Sequence, residues 1–223
     1  MIRCIDILTI VAMIVIAGWS LWVRRATWRM PWERHATAAT LLSAGGMTIG
    51  SSPGIEAVRA VTGYGFGNLV CQLVMMAALG CAIAHSLIRS NLRDRLVVLV
   101  RYPIIAGAGL MSLFYALGYS SLKVIAHAST IAYLLGLFAW VLWAFRHDQR
   151  SRSISWTIIT VCVVAVISTA TCVLERMHVI TGIDFALISG RGAVILFAAS
   201  FAVSWRKKIK PYKELALAVG ARL

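Results

Sequence analysis

The sequence predicts an all-α membrane protein: a polytopic transmembrane helical bundle of seven spans, with its N-terminus outside and its C-terminus in the cytoplasm. Hydrophobic residues make up 60% of the 223-residue chain and charged residues only 13%, whereas soluble domains carry about 25% charged residues. The apolar residues form seven runs near the length that crosses a bilayer, about 20 residues. Basic residues and tryptophans gather at the ends of these runs.

The seven runs take up most of the chain and leave no room for a separate soluble domain. The predicted spans cover residues 5–23, 36–52, 67–88, 96–118, 124–145, 156–173 and 185–205. They form one transmembrane domain of residues 1–205, which a short basic cytoplasmic tail of residues 206–223 follows. Two arginines directly after Val23 predict that the first span is a retained anchor and not a cleaved signal peptide.

The second span gives the weakest signal because it is short and rich in Ala, Thr, Ser and Gly. The placement of Lys and Arg supports it, since short cytoplasmic loops collect basic residues. With seven spans, sixteen of the 22 basic residues lie in inner segments and four in outer segments. The inner clusters lie within residues 24–34, 89–95, 146–152 and 206–222, and the outer residues are Arg3, Arg59, Lys123 and Arg176. Removing the second span would scatter these clusters between the two sides.

Tryptophan gives a second indication of orientation, because its amphipathic ring prefers the membrane interface. All eight tryptophans fall at or near predicted inner ends: Trp19, Trp22, Trp28, Trp32, Trp140, Trp143, Trp156 and Trp205. Both patterns therefore predict the same inner side, in a bacterial cytoplasmic (inner) membrane.

The outer connection after the second span predicts a short helix on the membrane surface. Ser52 followed by Pro53 is a helix-start signal, and Ile55, Val58 and Val61 fall on one helical face. Glycines at 63, 65 and 67 then predict the turn that returns the chain to the membrane.

Small residues on three of the spans predict close helix packing, because helices in lipid associate through small side chains. The candidate packing residues are Gly46, Gly50, Gly80 and Ala84. The pattern leaves open whether these faces serve contacts inside the bundle, a homo-oligomer or a membrane protein partner.

Four ionisable residues fall within predicted spans, and each is a candidate functional residue because an intramembrane charge is unfavourable. They are Arg191, Arg101, His85 and His127. Arg191 lies about 9 Å below the predicted outer edge, with Asp184 two helical turns earlier. Two interpretations stay open: an arginine that snorkels or is structurally paired, and an arginine that lines a polar cavity.

His85 and Arg101 lie at similar depth on consecutive predicted spans, so the two can face each other across a helical hairpin. An interfacial arginine beside a neutral histidine is one interpretation, and a proton or ion pathway is the other. Pro103 lacks a backbone donor, which predicts a kink or a freed carbonyl near this point. His127 is near the outer start of the fifth span, as expected of a satisfied interior or interfacial histidine.

Motifs of enzymes and metal sites are not found in the sequence. It contains no HExxH, GxSxG or GxxxxGK[ST] pattern, and the five cysteines are scattered without metal-binding spacing. The acids lie at or outside the predicted span boundaries, which disfavours a proton-coupled pump. We therefore expect no enzyme, no cofactor and no bound metal. The basic clusters at span ends predict contact with anionic lipid headgroups at the inner face, and no nucleic-acid partner.

The stretch 62–84, TGYGFGNLVCQLVMMAALGCAIA, has a Gly-Asn that enters the third span after a Thr-Gly turn. With the arginine-rich inner loops, it resembles small uncharacterised multi-span proteins of actinomycetes and of their phages and prophages. The resemblance implies a phage-encoded membrane protein, and some of these resist infection by competing phages.

Two function classes follow. The first is a membrane protein of regulatory or interaction type, for instance a phage or prophage exclusion or defence factor. The second is a small-solute transporter or channel that uses Arg191, or the His85 and Arg101 pair, along its path.

Overall fold

The structure is a computed structural model, and it describes residues 2–31, 33–89, 93–95, 97–144, 152–176 and 185–218. This described part is all-helical and contains no strand. Its α-helices are α1 (Ile2–Val23), α2 (Arg34–Ile49), α3 (Ser52–Thr62), α4 (Gly67–Arg89), α5 (Tyr102–Ala116), α6 (Ser120–Ala144), α7 (Arg152–Arg176) and α8 (Phe185–Ala218). A 3₁₀ turn, Arg25–Arg29, joins α1 to α2, and a π-helical turn, Val97–Arg101, leads into α5.

Every predicted span overlaps one of the long helices. Among the described residues, four helical stretches are long and apolar enough to cross a membrane: Gly67–Ile88, Val98–Ala116, Ser120–Trp143 and Ile188–Lys210. Two further apolar stretches are shorter, Ile7–Val23 and Ile158–Thr171. The helix α2 has 16 residues, or about 24 Å, against a hydrocarbon thickness of about 30 Å. The fold is thus compatible with a membrane protein.

Five helices form a closed ring at the centre of the bundle. In the order α2, α4, α6, α7 and α8, each packs against the next, and α8 packs against α2. The helix α1 lies outside the ring against α2 and α8, and α5 lies outside it against α4 and α6. These two outer helices expose apolar side chains, among them Leu8, Val11, Ile105 and Leu113. Such surfaces suit lipid better than water.

The low hydropathy of α2 is explained by its position in the ring. Its polar side chains Thr37, Thr40 and Ser43 are buried. Thr40 donates its hydroxyl to the Ala36 carbonyl, and Ser43 donates to the Thr40 carbonyl. Because the hydroxyls of Thr40 and Ser43 find acceptors in their own helix and that of Thr37 bonds to Thr27 and Arg24, α2 can lie inside the bundle without being apolar.

Glycines set the close approach of α2 to α4. A Cβ atom built at Gly46 would lie 3.0 Å from the Met75 sulfur, and one at Gly50 would lie 2.5 Å from the Cys71 sulfur. On the other side of α4, Gly80 faces the side chain of Ile104 at the start of α5. The small-residue faces predicted from the sequence therefore lie against neighbouring helices of the same chain.

The predicted short helix between the second and third spans is confirmed as α3. Ser51 accepts a hydrogen bond from the Gly54 backbone N–H at 3.3 Å and so caps the helix. Gly63, at φ 72°, ends the helix in the left-handed conformation that glycine adopts most easily. The α3 backbone packs against the start of α4, where Gly67 lies against Ile55.

The predicted freed carbonyl near Pro103 is also confirmed. In a regular α-helix, residue 103 would donate its N–H to the carbonyl of Leu99, but proline has no N–H. The Leu99 carbonyl instead accepts a hydrogen bond from the Tyr133 hydroxyl of α6 at 3.1 Å. A π-helical turn, Val97–Arg101, occupies this position in the chain.

The last helix is longer than the seventh predicted span. The span was predicted to end at Trp205, but α8 continues to Ala218 without a break. At 1.5 Å per residue its 34 residues extend about 51 Å. Much of the predicted basic tail is therefore a helical extension of α8.

Candidate functional site

The two ends of the bundle differ in charge. One end, called the α3 end, holds α3, the end of α2 and the starts of α4 and α6. The other, called the Arg24 end, holds the end of α1, the start of α2 and the α8 extension. By backbone position in the described helices, the α3 end carries four basic residues, Arg3, Arg59, Lys123 and Arg176. The Arg24 end carries fourteen: Arg24, Arg25, Arg29, Arg34, Arg89, Arg93, Arg95, Arg101, Arg152, Arg206, Lys207, Lys208, Lys210 and Lys213. The basic residues thus gather at one end.

A cavity of about 550 Å³ lies inside the five-helix ring, and α2, α4, α6, α7 and α8 all contribute to its wall. On α4 the wall runs from Asn68 to Ala82, and on α6 from Val124 to Phe138. Each stretch corresponds to about 21 Å along the helix axis. The central cavity therefore extends from the α3 end to well beyond the middle of the bundle. Its volume is within the range of about 300–1,000 Å³ that is typical of small-molecule sites.

The wall of the central cavity is mainly apolar. No Asp, Glu, Lys or Arg is found among the described residues that line it. Of the polar residues there, Ser43 and Thr169 donate their hydroxyls to carbonyls of their own helices. Two buried polar atoms remain that make no hydrogen bond within the described part of the chain: Oε1 of Gln72 and Nδ1 of His127.

Aromatic rings lie at the side of the central cavity that is nearer the Arg24 end. Phe197 lines the cavity and packs edge-on against Phe201, one turn later on α8, with ring centroids 4.5 Å apart. His85, one turn beyond the cavity residue Ala82 on α4, packs edge-on against Phe201 at 5.8 Å. His85 is only 4% exposed. This layer separates the cavity from the polar groups beyond it.

A buried polar network follows the aromatic layer, and we call it the Arg24 network. It consists of Arg24, Thr27, Glu33, Thr37 and Lys208. The Arg24 side chain is 2% exposed and forms an ion pair with Glu33 at 2.9 Å. Its Nε donates to the Thr37 hydroxyl at 3.2 Å. The hydroxyls of Thr27 and Thr37 share a further hydrogen bond.

The same guanidinium also contacts α8. Its Nη1 donates to the Phe201 carbonyl at 3.1 Å. The cation lies 5.4 Å from the centroid of the Phe201 ring and 5.7 Å from that of Trp205, within the range of a cation–π contact. Arg24 therefore joins the end of α1, the start of α2 and the middle of α8 through one side chain.

Glu33 is the acidic centre of the Arg24 network. It accepts hydrogen bonds from Arg24 and from Nζ of Lys208, which lies on the α8 extension. Burial alone would raise the pKa of this carboxyl, but the hydrogen bond from Lys208 and the charges of His85, Lys208 and Arg24 outweigh that effect and lower the pKa below its usual value. The carboxylate is therefore held in its charged form.

Arg191 lies inside the bundle. Its side chain is fully buried, and its Nη1 donates to the Thr9 hydroxyl of α1 at 2.9 Å. The first interpretation joined a snorkelling and a structurally paired arginine: the buried guanidinium excludes snorkelling, and the bond to Thr9 fits structural pairing. Arg191 is not among the residues that line the central cavity, although its neighbour Gly190 is. It joins α8 to α1.

The other predicted residues fall in different surroundings. His85 is buried against Phe201, whereas Arg101 is exposed. Neither His85 nor Arg101 lines the central cavity, but His127 does.

Sequence reasoning missed the Arg24 network. Arg24 was counted among the topology signals, and Glu33 was placed at a span boundary. One signal was present: Glu33 is the only acid among the four arginines of residues 24–34. Within the described residues, no group of three His, Cys, Asp or Glu could hold a metal ion.

Comparison of the chain with protein-family models, with curated proteins and with solved structures finds no match. The resemblance of residues 62–84 to phage and prophage membrane proteins stays a prediction.

Proposed function

We propose that this chain is a seven-span membrane protein of regulatory type, which binds a small molecule in the central cavity and reports its presence at the cytoplasmic end of α8. The N-terminus and the α3 end lie outside, and the Arg24 end lies in the cytoplasm. The distribution of basic residues supports this orientation, because lysines and arginines gather at the Arg24 end. Arg25 and Arg206 stack on Trp22 and Trp19 at that end, as expected at an interface.

The cavity favours binding over conduction. A transporter or channel was expected to use Arg191, or His85 with Arg101, along its path, but none of these residues lines the cavity. The aromatic layer of Phe197, Phe201 and His85 and then the Arg24 network lie beyond its inner end. The cavity volume of about 550 Å³ and its apolar wall suit a bound small molecule.

The continuity of α8 is the observation that carries the proposal. Gly190, Ala193, Val194 and Phe197 of this helix line the cavity. Three turns after Phe197, Lys208 of the same helix bonds to Glu33. A ligand that displaces the cavity wall on α8 therefore acts directly on the ion pairs at the other end, because a helix transmits displacement as a rigid rod.

The small-residue faces give little support to a partner within the membrane. Gly46, Gly50 and Gly80 pack against helices of the same chain. The exposed residues Arg206, Lys207 and Lys210 of the α8 extension remain as the surface for anionic lipid headgroups or a cytoplasmic partner.

A substitution that fills the cavity tests the coupling between the cavity and the Arg24 network, and it requires no knowledge of the ligand. Ala193→Leu enlarges a buried cavity residue on α8, whereas Leu196→Phe, the matched control, enlarges an exposed residue of the same helix. Spin labels at Arg29→Cys and Lys207→Cys, in a background without the native cysteines, report the distance between the α1–α2 turn and the α8 extension.

We expect Ala193→Leu to change this distance by more than about 2 Å, the size of a substantial rearrangement, and Leu196→Phe to leave it unchanged. Glu33→Gln, which weakens the ion pairs directly, should move the distance in the same direction as Ala193→Leu. If Ala193→Leu, Leu196→Phe and Glu33→Gln all keep the spin-label distance of the unmodified chain, the coupling between the cavity and the Arg24 network is wrong. A reporter fused after Leu223 that appears outside the cell would overturn the orientation.

A further inference from the structure

We propose that the ligand of the central cavity is an uncharged molecule with a mainly apolar body and one hydroxyl or amide group, which Gln72 and His127 hold by hydrogen bonds. This inference rests on the proposed small-molecule site and specifies the chemistry of its ligand.

The uncharged wall of the central cavity favours a ligand without charge. A cation or anion transferred from water into an apolar cavity loses several kcal/mol of solvation unless a counter-charge compensates for it. The described residues that line the cavity include no acid, lysine or arginine. The nearby arginines do not compensate, because Arg24 is paired with Glu33 beyond the aromatic layer and Arg191 faces α1. A neutral molecule is therefore favoured over either ion.

Two buried polar atoms of the wall, Oε1 of Gln72 and Nδ1 of His127, determine which kind of hydrogen-bonding group the ligand carries. Oε1 of Gln72 can only accept, and Nδ1 of His127 either donates or accepts, according to the tautomer. A buried polar atom without a partner destabilises the protein by about 1–3 kcal/mol, so a ligand that supplies both partners removes that penalty. A hydroxyl group does so, because it donates one hydrogen bond and accepts another.

The positions of these atoms orient the ligand. Gln72 lies five residues after the start of α4, and His127 lies seven residues after the start of α6. Because α4 and α6 are in contact and start at the same end, both polar atoms lie at about 7–11 Å from the α3 end. Beyond them, Leu135, Phe138 and Phe197 make the wall apolar. The polar group of the ligand therefore lies toward the α3 end, and its apolar body extends to the aromatic layer.

Four probes with the same four-ring body test this proposal: 1-pyrenemethanol, pyrene, 1-pyrenecarboxylate and 1-pyrenemethylammonium. The full chain is placed in lipid nanodiscs, and energy transfer from tryptophan to pyrene reports binding. Ala78→Leu fills the cavity, since Ala78 is a buried residue of its wall. Ala106→Leu is the matched control, because Ala106 is exposed on α5 away from the cavity. Probe dissolved in lipid gives the same background in both variants.

We expect 1-pyrenemethanol to bind about two- to tenfold more tightly than pyrene, the effect of one or two hydrogen bonds. The carboxylate and the ammonium should bind at least about tenfold more weakly than the alcohol. Gln72→Met and His127→Phe should remove the advantage of the alcohol over pyrene. Ala78→Leu should abolish binding of every probe, and Ala106→Leu should leave every dissociation constant unchanged.

Two other outcomes distinguish an error in the proposed ligand class from an error in the proposed function. If a charged probe binds as tightly as the alcohol, or if the alcohol keeps its advantage in Gln72→Met and His127→Phe, the ligand class is wrong while the cavity remains a binding site. If no probe distinguishes Ala78→Leu from the unmodified chain, the binding site itself is wrong. Size-exclusion chromatography of each variant confirms that it remains folded.

Discussion

Lys208 of the α8 extension bonds through its Nζ to the Glu33 carboxylate at the start of α2. The lysine side chain is 41% exposed, whereas that of Glu33 is 3% exposed. The pair therefore connects the surface of the Arg24 end to its buried interior. Because Glu33 also binds Arg24 from α1, one carboxylate holds three helices together, and a change in any of them alters the ion pairs of the other two.

Removal of Arg24 should destabilise the protein strongly. Within the described part of the chain, Arg24→Leu leaves the buried Glu33 with Lys208 as its remaining ion-pair partner, and the loss of one member of a buried ion pair costs about 3–5 kcal/mol. The matched control is Arg25→Gln, because Arg25 is exposed beside Trp22 and exposed contacts contribute about 1 kcal/mol or less. Thermal unfolding in detergent measures both. Equal losses of stability would show that the Arg24 network contributes no more than a surface contact.

The thermal stability of the protein should decrease at low pH because Glu33 becomes protonated. The pKa of this carboxyl is lowered in the folded protein from about 4.5, so its contribution is present above the unfolded pKa and is lost as the pH falls through the folded pKa. The unmodified chain should therefore lose thermal stability below about pH 4.5. Glu33→Gln cannot titrate, so it should be less stable at pH 7 and lose less between pH 7 and pH 3.5. Parallel pH profiles would contradict this role.

The apolar runs predict the helices because apolar length and flanking charge are properties of single segments. Ser52-Pro53 and the later glycines likewise predict α3, and Pro103 predicts the freed carbonyl, since each is a local backbone effect. The cavity could not be predicted. Ala78 and Ala106 are both alanines in apolar helices, but one lines the cavity and the other is exposed. Only the packing of the five ring helices distinguishes the environment of Ala78 from that of Ala106.

The burial of Glu33 could not be predicted for a similar reason. A residue at a span boundary can face water or the bundle, and the choice depends on groups far along the chain. Its partner Lys208 is 175 residues away, and the Phe201 carbonyl that accepts from Arg24 is 177 residues from that arginine. The sequence shows the residue types of this network but not the contact between α2 and α8 that assembles it.

Adjacent glycines of α2 should differ in their tolerance of a side chain. A Cβ atom at Gly46 meets Met75 and Val74 of α4, whereas one at Gly45 meets nothing within 4 Å. Gly46→Leu should destabilise the protein by about 1–3 kcal/mol through overpacking. Gly45→Leu should be neutral or stabilising, because leucine favours helix over glycine by about 1 kcal/mol. Thermal unfolding of the two variants compares them directly, and a larger loss for Gly45→Leu would contradict the packing of α2 on α4.

The hydrogen bond from Tyr133 to Leu99 should depend on Pro103. Tyr133→Phe removes the donor, which should cost about 0.5–1.5 kcal/mol of stability. In a Pro103→Ala background, residue 103 regains an N–H that can donate to the Leu99 carbonyl, so the same substitution should cost less. The four proteins form a double-mutant cycle, and the coupling between the two sites is read from their unfolding free energies. Additive effects would show that Pro103 does not free this carbonyl.

Arg191 should act on stability and not on ligand binding. It is fully buried and donates to Thr9 of α1, but it does not line the central cavity. Thr9→Val removes an acceptor from a buried guanidinium and should cost about 1–3 kcal/mol. Arg191→Leu alone should bind 1-pyrenemethanol with an unchanged dissociation constant, measured in nanodiscs. A loss of binding in a variant that keeps its thermal stability would instead place Arg191 at the ligand.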